Sequence, residues 1–440
     1  MGDYMFMLES HLSPTQNQAL RLVQRTAIDA GLNIYLTGGA MRDILGGFPI
    51  RNLDFTLEGK TLKLAKKLTD IAGAVMTDYD QNRHVASLRF PGSVSVRISM
   101  ARKESYPKAG GPPKVAPATI HEDLLGRDFT VNAIALSLNP ASLGLLIDPA
   151  NGHADLERRE LSATYNYSLY DDPIRMLRLI RYQVRLGYEI SEKTARQFEN
   201  ARLSNVETMI PPYKLRGEIR HIANDPRSAT IMTRLEELGF LKLFGLEDRL
   251  SKSVLSNLAK FEKLAELIPP GAPWDCNNLP VFLQTITEGF APKKKTAFAE
   301  GLGLEPEEVK LWQKLPAASA KLEKRLAAIA GSKIDEIFLL LSTAPKEEIT
   351  YLFVNSKQRL TQDRLRNYLQ KYLWVAQDIQ EEEILAEAEG GESGSPRYEK
   401  AKARLVAKRL RARPKKAIDL LPTDDELDLD EEELAGQASS

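Results

Sequence analysis

A chain of 440 residues is too long for one hydrophobic core, so several domains are expected. Its 43% hydrophobic and 27% charged residues are typical of a soluble globular protein, and sixty basic side chains balance sixty acidic ones, so net charge does not indicate a nucleic-acid partner. The single cysteine, Cys276, excludes an internal disulfide and a cysteine-rich zinc site. Because neither a signal peptide nor an apolar run of membrane-spanning length is seen, we expect a cytoplasmic protein.

The first part of the chain predicts an α+β domain. Ser13 and Pro14 are typical of a helix start, and this helix should end near Gly31, so residues 1–30 form an N-terminal helical segment. Four strand-like segments follow, separated by glycines and helical periodicity; they are "NIYLTGG", "LDFTLEG", "VASLRFP" and "VSVRISMAR". We therefore predict a head over residues 31–150 with a mixed sheet and flanking helices.

The rest of the chain to about residue 378 predicts helices only, because nearly every segment after Asp171 has helical periodicity. We divide it into a helical neck and body over residues 151–270 and a helical tail domain over residues 271–380. No internal repeat is visible, and oligomeric state cannot be derived.

The last segment, residues 381–440, is strongly charged and is predicted to be disordered. Residues 397–416 carry ten Lys or Arg. This basic segment is either a clamp for RNA phosphates or a solvated segment paired loosely with the acidic run at 424–433.

Four motifs in fixed order carry the candidate chemistry. Gly38 and Gly39 form a strand-to-helix turn, where backbone N–H groups could approach a phosphate, and Asp54 lies on the next strand. The segment 121–136 is predicted to be one helix, and the segment 170–187 another. The polar residues on these two predicted helices are Arg127, Asp128, Asn132, Asp172, Arg175, Arg178, Arg181 and Arg185.

These motifs resemble the class II nucleotidyltransferases, the family of bacterial tRNA CCA-adding enzymes, A-adding enzymes and poly(A) polymerases. The resemblance extends over about residues 31–245. The matching segments are "GGAMRD" (38–43), "GRDFTVNA" (126–133), "IDPANGHADL" (147–156) and "DDPIRMLR" (171–178).

The resemblance implies transfer of a nucleotide from ATP or CTP to an RNA 3′ end, of tRNA or another RNA, with Mg²⁺ as cofactor. The head would hold the triphosphate and the neck would read the base. By resemblance the base is read by Asp172 and Arg175, near Arg178 and Arg181. The residues that would hold phosphates and ribose are Gly38, Gly39, Arg42, Asp43, Arg127, Asp128 and Asn132.

The sequence departs from the family where the metal ions would bind. The family has two aspartates two residues apart on one strand, whereas this chain has Asn52 and Asp54, and a neighbouring family acid corresponds to Arg97. Gly126 also replaces the family's first arginine in its motif. Since carboxylates hold the two metal ions of phosphoryl transfer, the sequence predicts a poor magnesium site with Asp54 as its remaining acid.

Two interpretations follow. The chain is either an active RNA nucleotidyltransferase, with Asp43 or Glu58 as a substitute ligand, or a non-catalytic relative that binds RNA or nucleotide, with Arg97 paired to Asp54. We lean towards impaired or absent turnover. A fused metal-dependent phosphohydrolase is set aside, because no His-Asp dipeptide occurs.

Overall fold

The computed structural model describes residues 4–412, except 248, 270, 271 and 273. It forms two units. The first contains the described residues up to Glu218 together with Glu237–Phe244, and the second contains Ile219–Glu236 and the described residues from Gly245 onwards.

A seven-stranded mixed sheet forms the centre of the first unit, as predicted for the head. The strands of the unit are β1 Asn33–Thr37, β2 Asn52–Glu58, β3 Val75–Asp80, β4 Val85–Phe90, β5 Val94–Met100, β6 Arg102–Ser105, β7 Lys114–Pro117, β8 Ala135–Ser137, β9 Leu146–Ile147, β10 Glu160–Leu161 and β11 Glu189–Ile190. The order in the main sheet is β3-β4-β5-β2-β1-β8-β9. Strands β2 and β5 pair in parallel, while the other neighbours in this sheet are antiparallel. Two further pairs, β6–β7 and β10–β11, stand apart from it.

The helix predicted from Ser13 begins at that residue. Ser13 caps the second helix, with Pro14 in its first turn and a reciprocal hydrogen bond from Gln16. The helices are α1 Tyr4–His11, α2 Pro14–Asp29, α3 Gly39–Leu45, α4 Thr61–Ala72, α5 Ile120–Leu125, α6 Gly152–Arg158, α7 Ser168–Asp171, α8 Ile174–Leu186, α9 Glu192–Leu203 and α10 Pro212–Ala223, which continues into the second unit. Short 3₁₀ turns lie at Pro91–Ser93, Thr130–Asn132, Pro140–Ser142, Val206–Met209 and Leu241–Phe244.

The two faces of the sheet differ because side chains alternate along each strand. One face carries the apolar residues of β1, β2, β4 and β5 and packs in one core with α2 and α4. On the opposite face a small cluster around Tyr35, Ile120 and Leu124 covers β1 and β8. Further along that face Asn52, Arg89 and Arg97 are exposed. Strands β2 and β5 thus present polar side chains to one side of the head.

The second unit is helical throughout its described residues, as the periodicity predicts. Its helices are α11 Ser228–Glu237, which ends in the first unit, α12 Lys252–Leu267, α13 Asn278–Ile286, α14 Pro292–Leu302, α15 Pro306–Ala328, α16 Ile334–Thr343, α17 Lys346–Asn355, α18 Arg359–Asn367, α19 Leu373–Gln377, α20 Glu381–Glu387 and α21 Pro396–Ala412, with a π-helical turn at Tyr368–Tyr372. None of the described helices is long and apolar enough to span a membrane. The structure divides within α10, whereas we placed boundaries after residues 30, 150, 270 and 380, and those boundaries stay predictions.

The prediction of disorder from residue 381 is wrong for residues 381–387 and 396–412, which form α20 and α21. Helix α21 contacts α16 and buries Ala401, Val406 and Ala407. Arg409 on the same helix forms an ion pair with Glu383, with Nη2 and Oε2 2.7 Å apart. The high charge of this segment hid a narrow apolar stripe whose burial stabilises the helix. Residues 413–440, with the acidic run at 424–433, lie outside the described residues.

Candidate functional site

The glycine turn after β1 faces three of the candidate side chains. Gly38 has φ +66°, and a Cβ atom there would lie 2.9 Å from Nη1 of Arg127. A Cβ atom at Gly39 would lie 3.4 Å from Oδ2 of Asp54 and 3.5 Å from Nη2 of Arg42. Glycine is therefore required at position 38 by backbone conformation and by space.

A network of hydrogen bonds connects the head motifs. Arg42 on α3 donates from Nη1 to Oδ1 of Asn132 at 2.8 Å and forms an ion pair with Asp43 at 2.6 Å. Arg127 donates to the carbonyl of Asn132 at 3.1 Å, and its Nη2 lies 2.8 Å from Oδ2 of Asp123. Residues distant in sequence that the resemblance assigned to one nucleotide site are thus brought together.

The predicted helix over 121–136 is wrong, and the residues on it come together differently. Helix α5 ends at Leu125, so that Arg127 and Asp128 lie in the following turn and Asn132 ends a 3₁₀ turn. Phe129 is extended, with φ −131° and ψ 149°, and its side chain is fully buried. Burying Phe129 breaks the helix, while a hydrogen bond of 3.0 Å from Asn132 Nδ2 to Asp128 Oδ1 keeps two candidates in contact.

The departures from the family meet on the open side of the sheet. In the parallel pairing of β2 and β5, Asp54 is directly opposite Arg97, and Asn52 is opposite Ser95. Asp54 is half-buried, whereas Asn52 and Arg97 are exposed. Removal from water raises the pKa of Asp54, and this outweighs the lowering by Arg97, Arg127 and Arg42. The direct Arg97–Asp54 ion pair that we considered is not formed, although the two charges interact.

The donor groups at this position do not fit a pair of Mg²⁺ ions. Magnesium is bound by carboxylates and water, but here one carboxylate stands between an amide and a guanidinium. The two substitute acids are engaged elsewhere: Asp43 pairs with Arg42 and Arg185, and Glu58 accepts from the Ile120 N–H and from Asn33. Among the described residues no three His, Cys, Asp or Glu side chains gather in a group that could hold a metal ion.

The arginine row of α8 is neutralised by carboxylates. The prediction that these four residues share one helix is confirmed, since α8 runs from Ile174 to Leu186. Each arginine has an acidic partner, and the N–O distances are 3.9 Å for Arg175–Asp172, 3.4 Å for Arg178–Asp128, 2.5 Å for Arg181–Glu218 and 3.5 Å for Arg185–Asp43. Burial raises the pKa of Asp128, but Arg178 and Arg175 outweigh it and lower the pKa.

Asp172 and Arg175 form a buried polar pocket at the start of α8. Asp172 is 3% exposed, and its Oδ1 lies 2.6 Å from Nζ of Lys214. Arg175 is 4% exposed and donates to Ser168 Oγ at 2.6 Å and to the Gly126 carbonyl at 2.9 Å. Its Nε–H has no hydrogen-bond partner among the described residues, although Nε lies 3.9 Å from Asp172 Oδ2. A buried donor without an acceptor is costly in a folded protein, so a polar group that accepted from this Nε–H would stabilise it.

The sequence did not reveal five residues that hold these groups in place. Asp123 holds Arg127, Lys214 holds Asp172, and Glu218 holds Arg181. The Tyr106 hydroxyl donates to Glu104 at 2.5 Å and lies 3.5 Å from Asp172. Asp123 stands four residues before Arg127 and Glu104 two before Tyr106, whereas Lys214 and Glu218 are distant in sequence from their partners.

Residues 34–162 match the family described as the poly A polymerase head domain. An A-adding tRNA nucleotidyltransferase of Halalkalibacterium halodurans is 26% identical over 365 residues, which cover 82% of this chain and 81% of that protein. An A-adding tRNA nucleotidyltransferase of Aquifex aeolicus is 34% identical over 201 residues, 46% of this chain but 24% of that protein. A CC-adding tRNA nucleotidyltransferase of Deinococcus radiodurans is 32% identical over 192 residues, 44% of this chain and 50% of that protein. The chain therefore spans half or less of the latter two relatives.

Solved structures show the same fold. A CCA-adding enzyme in its apo form II has a TM-score of 0.54 at 21% identity, over 93% of this chain and 99% of that chain. A Thermotoga maritima CCA-adding enzyme complexed with tRNA has a TM-score of 0.50 at 22% identity, over 95% of this chain and 97% of that chain. These matches confirm the predicted fold class, an α+β head followed by a helical region.

Proposed function

We propose that this chain, whose residues 34–162 match the poly A polymerase head domain family, binds a nucleoside triphosphate and the 3′ end of an RNA while its catalysis of nucleotidyl transfer is strongly impaired. The named relatives add A or C to tRNA, so tRNA is the RNA and ATP or CTP the nucleotide that we expect. The observation that carries the proposal is the register of β2 and β5, which places Asp54 directly opposite Arg97.

The binding half of the proposal is supported by the polar groups around α8. The Nε–H of Arg175, which makes no hydrogen bond within the described residues, and the carboxylate of Asp172 are a buried donor and acceptor, the pattern that a base edge needs. Arg42, Arg127 and Asn132 lie together beside the glycine turn, where phosphates and ribose would be held.

The catalytic half is supported by the charges on β2 and β5. Two unit charges about 4 Å apart interact by ~4 kcal/mol at an effective dielectric constant near 20. Replacing an acid with the amide of Asn52 and another with the cation of Arg97 removes attraction and adds repulsion for any divalent ion. Since ~1.4 kcal/mol changes a rate tenfold, even a small part of this difference gives a large loss of turnover.

The test is primer extension with labelled tRNA that lacks its 3′ end, with ATP and CTP and either magnesium or manganese. Alongside the natural chain we would assay an Asn52→Asp/Arg97→Asp double variant and a triple variant that adds Asp54→Asn. We expect extension by the double variant to be at least about 100-fold faster than by the natural chain, and the triple variant to be inactive, because it lacks the remaining acid.

Two results would contradict the proposal separately. Extension by the natural chain at the rate of the double variant would show that catalysis is intact, with a ligand set that we have not identified. Failure of the natural chain to bind tRNA in a filter assay at low salt would remove the binding half. Thermal unfolding of all three proteins controls for loss of structure.

A further inference from the structure

The arginine that disrupts the metal position is itself suited to bind phosphate. Resting on the proposed function, we infer that this chain binds the metal-free nucleoside triphosphate and that the Arg97 guanidinium replaces the metal ion as the counter-charge of the phosphates. Its side chain is exposed, on the face of the sheet that also carries Asn52 and Asp54. Within the described residues Arg97 forms no direct ion pair, so its donors are available.

The neighbouring arginines differ from Arg97 in this respect. Arg42 and Arg127 also act on Asp54 electrostatically, but each has an acid of its own, Asp43 at 2.6 Å and Asp123 at 2.8 Å. Those two side chains are fixed by their partners. Arg97 has only Asp54 across the strand pair, at the ~4.8 Å spacing of neighbouring strands.

The wider surroundings of Arg97 are also basic. Arg83, Arg102 and Arg178 act on it as like charges, and each is paired with an acid, the first two with Glu104 and the third with Asp128. An anion that approaches Arg97 would therefore offset the repulsion that the four guanidinium groups exert on one another. A divalent cation at the same place would increase it.

Arginine suits this role because its planar guanidinium donates two parallel hydrogen bonds to phosphate oxygens. Arg97 lies opposite Asp54. Oδ2 of Asp54 would in turn be 3.4 Å from a Cβ atom at Gly39, so Asp54 is next to both Arg97 and the glycine turn. A metal ion in this fold would balance the triphosphate charge between acids of the sheet. Here the Arg97 guanidinium would balance part of that charge, without an ion from solution.

The experiment is titration calorimetry of ATP and CTP into the purified full-length chain, once with magnesium chloride and once with EDTA. Ionic strength is matched with potassium chloride, because salt screens these charges. We expect the natural chain to bind in EDTA at least as tightly as with magnesium. Arg97→Gln should weaken binding in EDTA about tenfold, the size of one lost charged hydrogen bond, and Arg97→Lys should lose less.

The Asp54→Asn variant distinguishes this inference from a metal site, because the two predict opposite changes in nucleotide affinity. Asp54→Asn removes the acid that opposes Arg97, so binding in EDTA should become several-fold tighter. If the chain used a metal ion, the same variant would weaken binding in magnesium and have no benefit in EDTA. The matched control is Arg21→Gln on α2, which changes the same charge on the other side of the sheet and should shift affinity by less than about twofold.

The outcomes are distinct. If the natural chain binds ATP and CTP only with magnesium, the inference is wrong while the proposed nucleotide binding stands. If it binds neither nucleotide in either buffer, the nucleotide part of the proposed function fails as well. If Arg97→Gln binds in EDTA as tightly as the natural chain, the counter-charge is not Arg97 and the inference is overturned.

Discussion

The arginines of α8 and the arginine of β5 resemble each other in sequence but differ in their surroundings. Each of the four on α8 lies within 3.9 Å of a carboxylate oxygen, and Arg181 is in close contact with the buried Glu218. Arg97 is exposed and faces Asp54 only across a strand pair. The first group is paired with acids and two of its members, Arg175 and Arg181, are buried, whereas Arg97 is exposed and has no direct ion pair within the described residues.

This difference separates two kinds of residue among those that the family resemblance brings into question. A buried ion must be paired because its removal from water costs several kcal/mol, so Arg175 and Arg181 need acidic partners whether or not nucleotide is bound. An exposed cation has no such constraint and is kept or lost according to what it binds. The acidic partners of these buried arginines are therefore required by the fold as well as by any ligand, whereas the exposed Asn52 and Arg97 on β2 and β5 are not constrained in this way.

The largest expected effect is at Glu218, whose side chain is 1% exposed. Glu218→Ala leaves the Arg181 guanidinium buried without its closest acid and should destabilise the first unit by ~3–5 kcal/mol. Hydrogen exchange of peptides from α8 is the suitable measurement, since the three tryptophans, Trp274, Trp312 and Trp374, report on the other unit. Glu192→Ala is the control, because its ion pair with Arg196 is exposed and should contribute below ~1 kcal/mol. Equal effects of the two variants would contradict the distinction.

A smaller effect on stability is expected at Glu104 on β6. Burial raises its pKa, but Arg83, Arg102 and the Tyr106 hydroxyl outweigh this and lower the pKa from 4.5 to about 2. A carboxyl with a lower pKa in the folded state stabilises above pH 4.5, and that contribution is lost as pH falls from 4.5 to about 2. The shift corresponds to at most ~3 kcal/mol.

Glu104→Gln should therefore unfold with a weaker acid dependence than the natural chain, and the difference should lie between pH 4.5 and about 2. Urea unfolding followed by circular dichroism at a series of pH values measures it. Parallel acid profiles for the two proteins would show that Glu104 is not held by its arginines. Glu157→Gln, at an exposed helix position, controls for the loss of one carboxyl.

The smallest effect is expected at the glycine turn. Gly38→Ala forces a side chain into φ +66° and within 2.9 Å of Arg127 Nη1, which should cost ~1–3 kcal/mol and weaken ATP binding several-fold. Gly187→Ala has the same φ but no atom within 4 Å, so it should destabilise by only ~1 kcal/mol and leave ATP affinity unchanged. Thermal unfolding and calorimetry measure both. An equal loss of affinity in the two variants would mean that the turn does not position Arg127.

Local patterns predicted the parts of the fold and site that depend on neighbours in sequence. Ser13 and Pro14 give the start of α2, and the alternation along β2 places Asn52 and Asp54 on the same face of the sheet. The spacing of three and four residues places the arginines on α8. Each of these features is decided within a few residues, where periodicity and capping are strong signals.

The features that failed depend on contacts far along the chain. The turn at Arg127 follows from the burial of Phe129, and α21, which buries Val406, is held by contacts with α16. Lys214 and Glu218 neutralise residues about 40 positions earlier, so nothing near them in sequence marks their role. Charge pairing of this kind becomes visible only when the helices are packed.

The alternation of β5 has a consequence for how the sheet assembles. Because side chains point to opposite faces in turn, a slip of β5 by one residue against β2 would turn Arg97 towards the apolar core beneath α2 and α4. An unpaired guanidinium buried there would destabilise the sheet by far more than the hydrogen bonds of the wrong register would stabilise it. The two strands join residues 54 and 97, and such non-local pairing is slow to form and open to error. The positive charge of Arg97, which does not suit this face of the sheet to metal ions, thus also favours the correct pairing of β2 with β5.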